Sequence, residues 1–142
     1  MAIKQIDHGS EEYAKMVQLR LEVLRKPIGL NFSEIELSND INDILITAFD
    51  EEEILGCCIL QTINKNYIKL RQMAVQKKVQ RKGIGVAIMS FAENLARDKG
   101  FKIIKMHARE TAIGFYEKLG YEKKGNSFTE VNIPHLLMEK KL

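Results

Sequence analysis

A strand, a glycine-containing loop and an amphipathic helix follow one another between residues 68 and 99, and this succession limits the fold more than any other stretch. Residues 68–75 (IKLRQMAV) have the composition of a strand. Gly100 lies where a helix commonly ends. Between these limits the apolar residues recur at the spacing of one helical face, at Ile84, Ile88, Phe91, Ala92 and Leu95.

Gly83 and Gly85 lie where the loop becomes the helix. Neither has a Cβ, so a ligand can approach the backbone closely. The first N–H groups of a helix have no partner within it, and the helix dipole is positive at that end. A phosphate-bearing ligand, bound mostly by backbone, is therefore expected. Basic side chains strengthen this expectation: Lys77, Lys78, Arg81 and Lys82.

The N-terminal third predicts one strand and at least one helix. Residues 2–7 suit a short strand, and Ser10 suits the N-cap of the helix that follows. Gly29 lies past the end of that helix, and the next residues leave two possibilities: a short helix beginning after Ser33, or a surface loop. The helical stripe comprises Tyr13, Met16, Val17, Arg20, Leu21 and Leu24.

Antiparallel strands dominate the remaining prediction. Three strands joined by polar turns are expected first, and a strand-helix-strand unit follows them. The predicted fold is α/β (α+β), with a mixed, mostly antiparallel central sheet flanked by helices. Pro134 is expected to separate the last two strands. The predicted strands are 44–49, 54–62, 67–75, 101–107, 121 onward and 135–140, with helices at 83–99 and 112–119.

Composition indicates one domain over residues 1–142. Apolar residues make up 45% of the chain and charged residues 29%, as in globular proteins. The net charge of +3 suits an anionic small molecule better than nucleic acid. No apolar run approaches the roughly 20 residues of a membrane span, and no signal peptide is recognisable, so we expect a cytoplasmic protein without a membrane partner.

The two cysteines are adjacent, Cys57 and Cys58. Neighbouring residues of a strand point to opposite faces, so no disulfide between them is expected, and a reducing compartment is indicated. No metal-ligand spacing exists among cysteines and histidines, and no metal is expected. Neither cysteine is expected to lie near the functional motifs, which argues against a covalent enzyme intermediate.

Two common phosphate-binding motifs do not fit. A dinucleotide fingerprint requires a third glycine where this chain has Ile88, and a P-loop requires four residues between its glycines followed by Lys-Ser/Thr. What remains is Gln/Arg-x-x-Gly-x-Gly/Ala, met by residues 80–85 (QRKGIG).

With its flanking blocks, this motif resembles the GNAT superfamily of acyl-CoA-dependent N-acyltransferases. Residues 70–75 (LRQMAV) resemble the fourth strand of that family, and residues 115–121 (FYEKLGY) resemble its Phe-Tyr-x-Lys-x-Gly-Phe/Tyr signature. The resemblance covers roughly residues 44–122. Residues 128–140 are similar to a bacterial subgroup of small, mostly uncharacterised members.

The resemblance implies acetyl-CoA as cosubstrate and a specific set of residues around it. Backbone groups of Met73, Ala74 and Val75 would pair with the pantetheine arm, and one N–H there could act as an oxyanion donor. Tyr116 would contact the cofactor and protonate the leaving thiolate. The pyrophosphate would be bound at Gln80, Arg81, Lys82, Gly83, Ile84 and Gly85.

The general base is left open, because Lys69 stands where many family members have a glutamate. Imidazole is a suitable general base, and His107 is expected at the end of the fifth strand. Glu130 and His135 are further candidates near the acceptor, and a chain of water molecules is another. Arg109 stands where many relatives carry an asparagine, and an acidic acceptor or a cofactor phosphate is its possible ligand.

The expected reaction is direct attack of a primary amine, from a small molecule or a peptide, on the thioester. Two alternatives stay open. The first is an acyl-CoA-binding module without catalysis, such as a sensor, which Lys69 would suit. The second is a nucleic-acid partner for the basic loop. The sequence does not give the oligomeric state, although a homodimer is common in such folds.

Overall fold

Seven strands form one sheet in the computed structural model, which describes residues 1–142. The strands are β1 (Ala2–Ile6), β2 (Ile44–Asp50), β3 (Glu53–Thr62), β4 (Tyr67–Val75), β5 (Ile103–Arg109), β6 (Glu122–Glu130) and β7 (Ile133–Lys141). Their order is β1-β2-β3-β4-β5-β7-β6, and only β4 and β5 are parallel. The predicted mixed, mostly antiparallel sheet is confirmed.

Four α-helices flank the sheet: α1 (Glu11–Arg20), α2 (Glu34–Ser38), α3 (Ile84–Asp98) and α4 (Ile113–Lys118). Ser10 caps α1 as predicted, with its hydroxyl accepting from the Tyr13 N–H at 3.1 Å. The helix continues through a π-helical turn, Leu21–Arg25, which the sequence pattern did not indicate. Ser33 caps α2 in a capping box, which decides in favour of the short helix.

The sheet carries a core on each face. The first core packs α3 and α4 against the sheet, and the second packs α1 against the other face. Cys58 lies in the first core and Cys57 in the second, and both thiols are free. The predicted opposite orientation of the two cysteines is therefore confirmed.

The strands near the C-terminus differ from the prediction. β5 is displaced by two residues because the N–H groups of Lys102 and Ile103 both bond to the Asn66 carbonyl, so the strand begins after this anchor. His107 consequently lies inside the strand. Pro134 lies within β7, opposite Thr129, and not between two strands.

The position of Pro134 has a simple physical reason. β5 ends opposite His135, so the missing N–H of Pro134 lies past the last pair with that strand. The turn before it is made by Val131 and Asn132, whose φ values of 45° and 62° suit a two-residue hairpin.

No helix of the chain combines the length and the apolar character needed to cross a membrane.

Candidate active site

The sheet divides between β4 and β5. These strands pair at only four positions, the last of which joins Leu70 and Met106. β4 continues to Val75 and β5 to Arg109, but beyond this point the two strands no longer pair with each other. One edge of β4 over residues 71–75 therefore lacks a neighbouring strand. We call the space between this edge and residues 107–109 the β4–β5 opening.

A β-bulge marks the start of the opening. Gln72 and Met73 together oppose the single residue Cys58 on β3, and Gln72 has a φ of 54°. A bulge bends and twists its strand, which explains why pairing with β5 ends here. Met73, Ala74 and Val75, the residues expected to meet the pantetheine arm, follow Gln72 along this free edge.

The loop between β4 and α3 presents a row of backbone donors. The N–H groups of Arg81, Lys82 and Gly83 have no acceptor within the protein, and no side chain caps the start of α3. The side chain of Gln80 donates to the Val75 carbonyl at 3.0 Å, which attaches the loop to the end of β4. An open row of donors at the positive end of a 15-residue helix suits an anion.

The two glycines of this loop have different structural roles. Gly83 adopts a left-handed conformation with φ 84°, and a Cβ there would meet nothing within 4 Å. A Cβ at Gly85 would lie 3.2 Å from Cζ of Phe115, so glycine allows α4 to pack closely against the start of α3. The sequence analysis assigned the missing Cβ of Gly85 to close approach of a ligand. In the structure this position faces Phe115, within the protein. Binding of pyrophosphate by the N–H groups of Ile84 and Gly85 stays a prediction.

Tyr116 lies in the first core, on the helix that follows β5. Its ring packs edge-on against Phe115 and Tyr121. The hydroxyl of Tyr116 has no hydrogen-bond partner in the protein. It is not fully enclosed either, because Gln76 Oε1 is the only fully enclosed side-chain polar atom that lacks a partner. The hydroxyl is therefore partly accessible. Burial raises the pKa of Tyr116, and nearby Cys58 adds to the shift. The phenol therefore stays protonated at neutral pH.

Glu130 lies between two histidines on the face of the sheet that carries the second core, which we call the second face. Its Oε1 is 3.1 Å from Nδ1 of His107, and its Oε2 is 3.8 Å from Nε2 of His135. Met106 and Ala108 point into the first core, so the alternation along β5 turns His107 to the other face. The sequence treated these three residues as separate candidates, and the fold brings them together.

Hydrogen bonds restrict how each histidine can act. A carbonyl only accepts, so His135 donates from Nδ1 to the Ile133 carbonyl at 2.8 Å, and its side chain is 4% exposed. His107 is more open, with its ring edge-on to Phe128. With its proton on Nδ1, His107 donates to Glu130, and its Nε2 is free to accept a proton. This is the arrangement of a histidine base oriented by a carboxylate.

Lys69 and Arg109 point to the same face as His107, because their strand neighbours point into the first core. Arg109 donates from Nη2 to the Leu24 carbonyl at 2.6 Å, so it connects β5 to the π-helical turn after α1. Burial lowers the pKa of Arg109, and Arg25 adds to the effect. Burial also lowers the pKa of Lys69, while the charge of Glu130 opposes that shift.

A buried polar network on the second face was missed by the sequence analysis. Arg20 donates to Asp40 at 2.8 Å and to the side chain of Gln72 at 3.3 Å. The hydroxyl of Tyr13 and the guanidinium of Arg71 also bond to Asp40. The network ties α1 and the segment after α2 to the bulge of β4. A charged residue within an apolar helical stripe was the signal that could have found Arg20.

The cysteines lie closer to the site than their sequence positions suggested. Cys57 is opposite Ala74, and its thiol is 3.5 Å from the Gln72 carbonyl. Cys58 packs in the same core as Tyr116. The stated reason against a covalent intermediate, distance from the motifs, is therefore wrong. A different reason replaces it, since burial raises the pKa of Cys57 to about 12 and that of Cys58 well above its ordinary value.

A comparison with models of known protein families identifies the family of this chain. The family model described as an acetyltransferase (GNAT) domain matches residues 26–142. The chain belongs to the GNAT family of acetyltransferases. The family and the enzyme class predicted from the sequence are thus confirmed.

Individual proteins are similar to this chain over different lengths. The uncharacterised N-acetyltransferase YjcF of Bacillus subtilis is 32% identical over 106 residues, 74% of each protein. The uncharacterised protein YyaT of the same organism is 38% identical over 74 residues, which are 52% of this chain and only 50% of YyaT. A crystal structure of an aminoglycoside 6'-N-acetyltransferase complexed with coenzyme A has a TM-score of 0.83 at 17% identity, covering 99% and 97% of the two chains.

The last comparison confirms the GNAT fold. Assignments of single residues to cofactor, acceptor or catalysis stay predictions, as do the single-domain organisation, the homodimer and the absence of a nucleic-acid partner. Lys78 of the basic loop forms an exposed salt bridge with Glu53 at 2.9 Å.

Proposed function

We propose that this protein transfers an acetyl group from acetyl-CoA to a primary amine of a small molecule or peptide, in the cytoplasm. The observation that carries the proposal is the row of unpaired N–H groups at residues 81–83, at the start of α3 and next to the end of β4. The coenzyme A complex of the similar aminoglycoside 6'-N-acetyltransferase supports the choice of ligand.

In this proposal, the donors at Arg81, Lys82 and Gly83 bind the pyrophosphate of acetyl-CoA together with the helix dipole. The pantetheine arm extends along the free edge of β4, where backbone groups of residues 73–75 take it as an additional strand. One N–H of that edge stabilises the oxyanion formed from the thioester carbonyl. Gln80 holds the loop on β4 and so keeps the two parts of the binding surface aligned.

The proposed chemistry uses both faces of the sheet. His107 Nε2 takes a proton from the acceptor ammonium, with Glu130 orienting the ring through Nδ1. The free amine then attacks the thioester carbon, the new C–N bond forms, the nitrogen releases its extra proton to solvent and the C–S bond breaks. Tyr116 gives its phenolic proton to the leaving thiolate and regains one from solvent. The raised pKa of Tyr116 keeps the proton available for this step.

The attack is direct, without an acetyl-enzyme. Cys57 and Cys58 are both completely buried and are poor thiolates, which leaves no nucleophile of this kind for the acetyl group. Isotope exchange tests this point: without an amine, labelled coenzyme A should not exchange into acetyl-CoA. Exchange at a rate comparable to turnover would demonstrate a covalent route.

Binding of acetyl-CoA tests the central observation. Titration calorimetry should give an affinity for acetyl-CoA about 100-fold higher than for acetyl-pantetheine, which lacks the pyrophosphate. In a thermal-shift experiment, acetyl-CoA at 100 times its dissociation constant should add about 2.7 kcal/mol of stability. Equal affinity for both compounds would reject the pyrophosphate site. Tight binding with no thiol release for any amine would instead indicate the acyl-CoA-binding protein without catalysis.

A further inference from the structure

Five basic side chains point to the second face of the sheet along β4 and β5. Alternation along each strand gives this face Lys69, Arg71, Lys105, His107 and Arg109, because the residues between them belong to the first core. The five lie around the paired segment of the two strands and the start of the β4–β5 opening. Acidic side chains lie on the same face, since Glu139 is opposite Lys105 and Glu130 contacts His107, so the argument depends on which basic groups lack a partner.

Four of these side chains already have partners within the protein: His107 contacts Glu130, Lys105 lies over the ring of Tyr67, and the two arginines are held as follows. Arg71 forms salt bridges with Asp43 at 2.9 Å and with Asp40 at 3.4 Å. Arg109 donates to the Leu24 carbonyl. Their positive charge is therefore committed to holding α1 and the segment after α2 on the sheet.

Lys69 is different because its ammonium has no partner. No carboxylate lies within 4.0 Å of it, and it makes no hydrogen bond to the protein, although the residue is only partly exposed. Lys105 is its direct neighbour across the parallel pair; it lies over the ring of Tyr67 and opposite Glu139 on β7, without a salt bridge to it. The acidic group that acts on Lys69 is Glu130, whose carboxylate is engaged by His107. A partly desolvated ammonium beside another ammonium is unfavourable without a counter-ion.

Lys69 lies close enough to His107 for one small molecule to contact both side chains. Lys69 pairs with Lys105, and His107 lies two residues further along β5 on the same face, about 6.6 Å along the strand. A compact molecule that carries an amine and an oxyanion can reach both residues. A polycation would bring positive charge towards Lys69 and Lys105 and would be repelled.

We propose that the acceptor is a primary amine that also carries an oxyanion, a carboxylate or a phosphate, and that Lys69 binds this anionic group while His107 receives the amine proton. The proposal rests on the proposed acetyltransferase function and adds the substrate class. It predicts a substrate that carries an anionic group beside its amine, in contrast to the polycationic aminoglycoside named for the similar structure.

Matched pairs of amines test this inference by release of coenzyme A thiol. Glycine is compared with glycinamide for the carboxylate, and phosphoethanolamine with ethanolamine for the phosphate, with spermidine as a polycation. The anionic member of at least one pair should have a kcat/KM about 10–100-fold higher than its neutral partner, as expected of a charge-assisted contact. The pair that responds identifies the oxyanion.

Variants of Lys69 connect the preference to this side chain. Lys69→Gln should remove most of the difference within the responding pair, mainly through KM for the anionic amine, and should leave the affinity for acetyl-CoA unchanged. Lys65→Gln is the matched control, because Lys65 lies exposed in the turn before β4 and loses the same charge. Its preference for the anionic amine should equal that of the wild type. Circular dichroism confirms that each variant is folded.

The outcomes separate this inference from the function on which it rests. Equal use of neutral, polycationic and anionic amines, or an anionic preference that persists in Lys69→Gln, would overturn the substrate class and leave acetyl transfer intact. Acetylation of a neutral amine or of spermidine, but of neither anionic amine, would also overturn it. Failure to bind acetyl-CoA, or binding with no acetylation of any amine, would instead reject the proposed function itself.

Discussion

The guanidinium of Arg20 and the carboxylate of Asp40 form a salt bridge at 2.8 Å in which the side chains are only 1% and 0% exposed. Asp40 also accepts a hydrogen bond from Tyr13 at 2.9 Å, and Arg20 donates to Gln72 in the bulge of β4. A buried charge of this kind is tolerated only while its partners are in place. The bond network therefore fixes the position of the bulge relative to α1.

Replacing Asp40 by alanine should lower the free energy of unfolding by about 3–5 kcal/mol, because Arg20 would be left buried without its counter-charge. Urea denaturation of both proteins measures the difference. Glu53→Ala is the control, since Glu53 pairs with Lys78 on the surface and such pairs contribute about 0–1 kcal/mol. A loss for Asp40→Ala no larger than that of the control would show that the network adds little to stability.

Gly83 and Gly100 allow a matched test of the phosphate-binding loop. Both flank α3, both have left-handed φ values, 84° and 89°, and neither would contact another atom within 4 Å through an added Cβ. Substitution of either by alanine should therefore cost a similar 1–2 kcal/mol of stability, about that of a left-handed alanine. Only Gly83→Ala should also weaken binding of acetyl-CoA, measured by calorimetry. Equal affinity in both folded variants would contradict the site.

Sequence patterns predicted the sheet and the helix-loop motif because their signals are local. Ser10, Ser33 and Gly83 mark helix ends through backbone requirements that neighbouring residues make visible. The cluster of His107 and Glu130 depends on the register of β5, β6 and β7, which residue spacing does not give. That cluster therefore had to be read from the structure.

Two corrections have the same origin. Gly85 was assigned to ligand approach, although its missing Cβ makes room for Phe115, a residue 30 positions later in the chain. Cys57 was judged remote from the motifs, although strand pairing places it opposite Ala74. In both cases the deciding neighbour is distant in sequence. The family resemblance supplied the order of elements but not these contacts.

Removal of the Tyr116 hydroxyl should affect chemistry and not binding. Tyr116→Phe should lower kcat by about 100-fold or more, in the range of general acid catalysis, with little change in the dissociation constant of acetyl-CoA. Single-turnover kinetics should be used so that product release does not hide the effect. Tyr121→Phe is the control: that hydroxyl donates to Glu93 at 2.9 Å, and its loss should reduce stability while kcat stays near the wild-type value.

Both cysteines should be unreactive in the folded protein. Burial raises the pKa of Cys57 to about 12, and Cys58 is also completely buried, so little thiolate is available at pH 8. A chromogenic disulfide reagent should therefore detect no fast-reacting thiol in the native state and both thiols in denaturant. A thiol that reacts rapidly in the native protein, and is protected by acetyl-CoA, would reopen the covalent route.

Alkaline pH should destabilise the protein through Tyr13. Burial and the neighbouring Asp40 raise its pKa from 10.0 to about 12. The folded state therefore holds this proton more tightly than the unfolded state, so the stabilisation is complete below pH 10 and is lost as the pH rises towards 12. The stability difference between wild type and Tyr13→Phe should shrink by about 1–3 kcal/mol over this interval. A constant difference in urea denaturation would contradict it.

The four residue pairs that join β4 to β5 are the only backbone seam between two antiparallel halves of the sheet. The two halves are β1–β4 and β5-β7-β6, and the hydrogen bond from Arg109 to the Leu24 carbonyl connects β5 to the helical turn that packs on the first half. A change in the separation of the two halves would strain the four residue pairs or break this hydrogen bond. If the acyl group lies in the β4–β5 opening as proposed, the width available to it is limited by these four pairs, by the Arg109–Leu24 hydrogen bond and by the first core, which includes residues of both halves.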